Sequence, residues 1–381
     1  MRDEEVIVGA SRDIIGGIGG ANLGHHALME LARGFNELVK LGWKPLRTIK
    51  FISWDGSSYG QLGSTEFGEY YAGALSKSAI VYVNLDKIEG SLLKIETNPL
   101  FNNLIQNLMK EVMISHGLSL SDLFKSQNGK LELISQGVGD YTVFQSHLGI
   151  PCLNIGFKNN STKDYVAYEN SKYMDLGWLL KLDPKLKMHN LVSQFVGLFV
   201  LNLTEREILH IKTKDYVNQI HTSYNKLVKR VPDYWLDRVI DDQNVRLGKK
   251  LNHMNDLFDN LLNKTIKFDK KLDSLQNEIL IDYPWFKLYK KLRTAIQVKV
   301  INIKVKALDR LFIHQNGNDE IDALKGRSWF KHLVFAPDRI TGNQVAVLPG
   351  LNEAVDDLDF DLFSENLSLM YSALLKLYLK I

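Results

Sequence analysis

The stretch Val6-Ile7-Val8-Gly9-Ala10-Ser11-Arg12-Asp13, followed by Gly16-Gly17-Ile18-Gly19-Gly20 and then by His25 to Leu41, decides the fold. Val6 to Gly9 is a short β-branched run, the glycines read as a turn, and His25 to Leu41 places apolar residues at helical spacing until Gly42 stops it. Strand, loop and helix in that order make a βα unit.

The unit recurs on the C-terminal side. Arg47 to Trp54 reads as a buried strand, Ser64 to Ala74 as a helix, Ile80 to Leu85 as a second buried strand, and Leu100 to His116 as a long helix. Strands that alternate with helices and are apolar on both faces predict an α/β fold with a mostly parallel sheet covered on both sides. From about Thr204 the character changes to Lys-, Asn-, Leu- and Asp-rich stretches with helical periodicity and little strand signal until Trp329 to Ala336. The expected organisation is an α/β domain over residues 1–205 and an all-α domain over 206–381, ending in an amphipathic helix from Leu362 to Leu379 whose stripe needs a partner surface.

With 381 residues, 45% hydrophobic and 24% charged, the chain can bury a sizeable core. A net charge of +3, spread along the chain, argues against nucleic acid as a partner. The single cysteine, Cys152, lies in the apolar stretch Leu148 to Phe157 and is expected to be a buried small hydrophobe. Met1 to Glu5 has no apolar signal-peptide core, and the longest apolar stretch, Phe195 to Leu203, is too short to span a bilayer, so a soluble chain is expected. Sequons at Asn159, Asn160, Asn202, Asn263 and Asn366 would suit a glycoprotein on a lumenal or extracellular face.

Four motifs invite chemistry. The glycine run at 16–20 could cradle a phosphate, but its spacing is not G-x-G-x-x-G, and a tight turn is the simpler reading. Gly56-Ser57-Ser58-Tyr59-Gly60 satisfies G-x-S-x-G after a strand, the nucleophile elbow of serine hydrolases. The better helix start is Ser64-Thr65-Glu66, with Ser64 or Thr65 as cap, and no spacing selects a triad from Asp86 with His147 or His189. His25 and His26 are adjacent on a helix, about 100° apart, and cannot chelate one metal as an i, i+4 pair would. The run Asp356-Asp357-Leu358-Asp359-Phe360-Asp361 reads as a solvated helix start.

Taken together, Val6 to Asp13, Gly42-Trp43-Lys44-Pro45-Leu46-Arg47-Thr48-Ile49, Ser53-Trp54-Asp55, Leu62-Gly63-Ser64-Thr65-Glu66 and Tyr82-Val83-Asn84-Leu85-Asp86 resemble the peptidase-like domain of the transferrin receptor and glutamate carboxypeptidase family. Gly139-Asp140-Tyr141 and Leu148-Gly149-Ile150-Pro151 continue the match, and Arg327 to Pro337 with Leu348-Pro349-Gly350 resemble the family's helical dimerisation domain. The likeness runs over nearly the whole chain. It implies a zinc-aminopeptidase-like sheet with helices on both faces, an all-α dimerisation domain and a homodimer.

Active members of that family hold two zinc ions with two histidines, two aspartates and a glutamate, beside a glutamate general base. Carried onto this chain, the first histidine position is Ser11, the bridging aspartate falls on or beside Gly19, base and ligand glutamates become Ser57 and Ser58, the final histidine falls near Tyr165, and only Asp86 is kept. A hydroxyl is a weak zinc ligand and no base, so the resemblance implies an inactive metallopeptidase homologue without zinc. Glu66 and Glu69 match glutamates that help bind a structural calcium in the family, and their i, i+3 spacing puts both on one helix face.

The Lys-, Asn- and Ile-rich tone looks fungal, and the Gly42-Trp43-Lys44-Pro45-Leu46-Arg47-Thr48-Ile49 and Ser53-Trp54-Asp55 blocks are similar to yeast transferrin-receptor-like proteins, which assist ubiquitin-dependent sorting of metal transporters to the vacuole. That likeness implies a receptor or adaptor ectodomain on the lumenal side of an endomembrane or vacuolar membrane. The family's cytosolic tail, membrane helix, protease-associated domain and first peptidase-like segment would precede this chain, leaving a sheet edge unprotected. The alternatives are a residual glutamate-carboxypeptidase-like exopeptidase using His25, His26 or Asp13 as substitute ligands, and a serine hydrolase at Ser58.

Overall fold

The computed structural model describes residues 3–13, 23–134, 137–160, 164, 175–240, 244–281, 284, 287–314 and 324–381. Gly19, Tyr165 and the glycine run 16–20 lie outside the described residues. The chain forms two compact units: Met1–Phe144 with Ile150–Arg206, and Gln145–Gly149 with Glu207–Ile381.

The first unit opens with β1 (Glu5–Ser11), α1 (Leu23–Lys40), β2 (Thr48–Trp54), α2 (Leu62–Tyr70), α3 (Ala72–Ser78), β3 (Ala79–Ile88) and β4 (Leu92–Thr97). It continues with α4 (Asn102–Glu111), the short strands β5 (Met113–Ser115) and β6 (Leu118–Ser119), α5 (Leu120–Ser126), β7 (Cys152–Lys158), α6 (Leu176–Leu182) and α7 (Lys187–Glu205). The sheet order is β2-β1-β3-β7-β4, parallel throughout except for β4, which runs antiparallel to β7 at one edge. Val6, Val8, Val81, Val83, Leu153 and Ile155 are buried, as a sheet covered on both faces requires. Cys152 is buried too, and its thiol faces the Ile150 carbonyl.

Arg47, just before β2, is buried and pairs with Glu4 at 2.8 Å while donating to the Leu203 carbonyl at 2.8 Å. One side chain thereby ties the entries of β1 and β2 to the end of α7.

The second unit contains α8 (Thr213–Val228), α9 (Leu247–Ile279), α10 (Leu288–Lys306), a small antiparallel pair of β8 (Phe335–Pro337) and β9 (Val345–Val347), α11 (Pro349–Asp356) and α12 (Phe360–Lys380). The 33-residue α9 is its spine, packed against α8, α10 and α12. Its core also holds a fully buried polar node. Asp309 accepts from Tyr216 Oη at 2.5 Å, Gln145 Nε2 at 2.6 Å and His332 Nε2 at 3.2 Å. His332 Nδ1 accepts from the amides of Val334 and Phe335, which leaves Nε2 as the donor.

Several expected elements shift. The helix expected over Leu100 to His116 ends at Glu111, because Val112 turns extended and the chain reverses at Gly117, whose φ of +77° favours glycine. The helix expected over Ser64 to Ala74 starts two residues earlier at Leu62, is interrupted at Tyr71, and resumes as α3. Of the strand expected over Trp329 to Ala336, only Phe335–Pro337 forms a ladder. The acidic run is only partly solvated: Asp356 pairs with Arg230, Asp357 with Arg339, and Asp359 caps α12 through the Leu362 amide. Asn366 is buried in α12, its amide donating to the Leu362 carbonyl, so that sequon is closed to a glycan in the folded chain.

Among the described residues, no helix is long and apolar enough to cross a membrane.

Candidate functional site

Ser11, Asp13, Ser57, Ser58 and Asp86 lie toward the carboxyl ends of β1, β2 and β3, where ligands bind in open α/β sheets. Ser11 ends β1, and two residues on Asp13 turns its carboxylate toward the loop after β2. Gly56 (φ +68°) and Gly60 (φ +93°) bracket the single 3₁₀ turn Ser57–Tyr59. That left-handed pair lets the turn fold tightly enough to aim its first amides at Asp13.

The contacts there are internal. The Ser57 and Ser58 amides each donate to the Asp13 carboxylate at 2.9 Å, and Ser11 Oγ donates to it at 3.3 Å. Ser57 Oγ donates to Asp140 at 2.9 Å and Ser64 Oγ donates to it at 2.6 Å. Ser64 is therefore not the cap of α2; its hydroxyl faces inward, and Gln61 in a left-handed conformation starts the helix.

Burial pushes Asp13 up, but the amides and hydroxyl of Ser58 and the Ser57 amide outweigh it, and its carboxyl sits below the usual range. Asp140 goes the other way. Burial raises it, the Ser64 and Ser57 hydroxyls oppose this, and the charges of Asp13 and Asp86 add repulsion, leaving it pushed up to about 6.

Beside these acids runs a polar chain that crosses the sheet. Trp54 Nε1 donates to Tyr82 Oη at 2.8 Å, Tyr82 Oη to Asn84 Oδ1 at 2.9 Å, and Asn84 Nδ2 to Asn154 Oδ1 at 2.8 Å. Asn154 Nδ2 then donates to Asp86 at 2.8 Å and to Glu96 at 2.6 Å, and Lys94 pairs with Glu96 at 2.8 Å and lies 3.9 Å from Asp86. Burial works against the Lys94 charge, but Asp86 and Glu96 outweigh it and hold its pKa above the ordinary value. A polar cavity of about 330 Å³ opens here, lined by Asp86, Lys87, Glu89, Lys94, Tyr141 and Lys158 among others.

Ser11, Ser57 and Ser58 thus cluster around Asp13, while Asp86 belongs to the neighbouring Asn154–Lys94 network. Glu66 and Glu69 share a face of α2 and are both exposed. His25 is half-buried against Ser53 Oγ at 2.9 Å, and His26 is exposed, as adjacent helix positions require. Ser58 Oγ donates to the Asp13 carbonyl at 3.4 Å, His189 bonds Asp183 at 3.0 Å, and His147 bonds the Trp329 carbonyl at 2.8 Å. None of the described hydrogen bonds joins Ser58 to a histidine. Lys94, Glu96 and Asn154 were not singled out from the sequence. The alternation Lys94-Ile95-Glu96 in a short strand was the available signal, since it sets two opposite charges on one face.

Residues 2–230 match the model of peptidase family M28, and residues 249–377 match the transferrin receptor-like dimerisation domain. The chain is 36% identical over 365 residues to Vacuolar protein sorting-associated protein 70 of Saccharomyces cerevisiae, covering 93% of this chain and 43% of that protein. It is 30% identical over 364 residues to a probable glutamate carboxypeptidase of Arthroderma benhamiae, covering 93% of this chain and 46% of that protein. A zinc aminopeptidase structure from Bacillus subtilis aligns at 17% identity and a TM-score of 0.41, over 54% of this chain and 47% of that one. The chain thus spans less than half the length of the curated relatives it matches. Its matched segments make it a member of peptidase family M28 that carries a transferrin receptor-like dimerisation domain.

Proposed function

We propose that this chain is a non-catalytic peptidase homologue that works by binding, as a receptor or adaptor ectodomain in the sorting of membrane proteins to the vacuole. The observation that carries it is the state of the old metal side. Hydroxyls stand at Ser11, Ser57 and Ser58, and the nearest carboxylates, Asp13 and Asp140, are taken up by protein donors. A two-zinc centre needs anionic or imidazole ligands with free lone pairs and a carboxylate base, and this donor set does not fit it. Asp86, the one retained acid, already accepts from Asn154 and faces the Lys94 ammonium.

The identity to a relative named for vacuolar protein sorting supports the sorting role. An endomembrane or vacuolar setting on the lumenal side, a ubiquitin-dependent route, and homodimerisation through the helical unit belong to the same proposal. The reading also takes Glu66 and Glu69 as the pair a calcium ion would use, with oxygen ligands at one helix face.

The 30% identity to a probable glutamate carboxypeptidase supports a second reading, a zinc exopeptidase with substitute ligands. Metal content by mass spectrometry, after dialysis against trace zinc and calcium, separates the two. No zinc and no hydrolysis of a glutamyl peptide is expected; two zinc ions per chain with chelator-sensitive hydrolysis would replace the binding reading. Calcium alone, lost in Glu66→Gln/Glu69→Gln, would assign that pair. Fluorophosphonate labelling abolished by Ser58→Ala would instead make the chain a serine hydrolase.

A further inference from the structure

We propose that the outer face of α10 is a docking seam for an acidic amphipathic helix of a partner protein. Tyr289, Leu292, Ile296, Val300 and Ile303 are each between 47% and 65% exposed. They recur at i, i+3, i+7, i+11 and i+14, and at about 100° per residue they fall within an arc of about 80° along roughly 21 Å of helix. The opposite face is already used: Val298, Ile301 and Val305 are buried, and Asn302 donates to the Glu207 carbonyl and accepts from the Leu209 amide. The helix is therefore apolar on two sides, and among the described residues only one is covered.

The shape of the stripe selects the kind of occupant. An average spacing of 3.5 residues in a narrow arc is the pattern of a helix–helix seam, whereas a helix lying in a membrane interface shows a broader apolar face. Charge selects the partner. α10 carries Lys290, Lys291, Arg293, Lys299, Lys304 and Lys306 and no acidic residue. Arg293 and Lys304 border the stripe on one side and Lys299 on the other. Lys304 also stands in the field of Lys271, Lys264 and Lys380, which together with its partial burial hold its pKa below the ordinary value. A second copy presenting the same helix would set these cations against themselves, while acidic flanks on a partner helix would pair with them.

This inference rests on the reading that the chain acts by binding, and its test is independent of metal content. The probe is a synthetic four-heptad peptide with Leu and Ile at the seam and Glu at the flanking positions, titrated into the full chain. Its twin carries Lys at those flanks. The Glu-flanked peptide is expected to bind, the Lys-flanked one at least about tenfold more weakly at low salt, with the gap closing as salt is raised. Leu292→Glu/Ile296→Glu is expected to weaken binding by at least about tenfold with unchanged circular dichroism, since both side chains are exposed. Three results would overturn the proposal: no binding of the Glu-flanked peptide, binding that ignores flank charge or the double variant, or a seam taken by something else. The last would appear as a dimer that Leu292→Glu/Ile296→Glu converts to monomer by light scattering, or as capture by phosphatidylserine vesicles without peptide binding.

Discussion

The indole Nε1 of Trp54 reaches from the end of β2 across β1 to donate to the hydroxyl of Tyr82 on β3, at 2.8 Å. Gly9 of β1 makes the passage possible. A Cβ there would lie 2.4 Å from Trp54 Nε1 and 2.5 Å from Tyr82 Oη. The Tyr82 ring is held in turn by Phe144, stacked at 4.2 Å, so neither aromatic can step aside.

Gly9→Ala is therefore expected to destabilise the first unit by about 2–4 kcal/mol through forced displacement of buried rings. Tyr82→Phe is expected to cost about 1–3 kcal/mol, because it leaves the Trp54 donor and the Asn84 acceptor without their shared partner. Denaturant unfolding followed by tryptophan fluorescence measures both. A neutral Gly9→Ala would mean the strand spacing relaxes.

Asp140 predicts a pH dependence. Its folded-state pKa of about 6 is raised above the ordinary 3.8. The folded chain thus binds the proton more tightly than the unfolded chain, and the stability this contributes is fully present below about pH 4 and lost as pH rises through about 6. The difference in unfolding free energy between the native chain and Asp140→Asn is expected to shift by about 2–3 kcal/mol between pH 4 and pH 7, in the direction of a less stable native chain at pH 7. His25, whose pKa is lowered, titrates in both proteins and cancels in the difference, while Asp13, which adds its charge to the field at Asp140, sits below the ordinary carboxylate value and so titrates mostly below this pH window. A flat difference would show that Asp140 is solvated.

Arg47 and Glu4 form a buried ion pair whose guanidinium also serves the Leu203 carbonyl. Glu4→Ala removes the carboxylate that pairs with this buried guanidinium and is expected to cost about 3–5 kcal/mol. Removing both charges with Glu4→Leu/Arg47→Met is expected to recover more than half of that loss. A double-mutant cycle by urea unfolding reads the coupling, and a double variant as unstable as Glu4→Ala would place the cost in the lost carbonyl contact instead.

In the second unit, Asp309 collects three donors in the core. Asp309→Leu removes the carboxylate that the Tyr216, Gln145 and His332 donors share and is expected to cost about 3–5 kcal/mol, whereas Tyr216→Phe removes one of those donors and is expected to cost about 1–2 kcal/mol. Thermal unfolding of the full chain with each variant compares them.

Particular residues show how far the sequence could be read. The β1 and β3 runs, buried on both faces, were legible because period and composition are local properties of the chain. The helical spacing of Leu100 to His116 runs past the real helix end because Val112 and Gly117 end it through a hairpin that needs β5 and β6 to pair. The sequence neighbours of Ser64 and Thr65 suit a helix cap, yet the carboxylate that Ser64 serves, Asp140, is 76 residues away.

The sequence by itself determined the βα order, the helical character of the second half and the hydroxyls at Ser11, Ser57 and Ser58, because residue identity and local periodicity carry that information. Only the tertiary structure decided that Asp13 and Asp140 accept from those hydroxyls and amides, that Asp86 belongs to the Asn154 and Lys94 network, and that Tyr289, Leu292, Ile296, Val300 and Ile303 of α10 are exposed. Each of these depends on which distant segments meet, and through-space distance is not written in the spacing of residues along a chain.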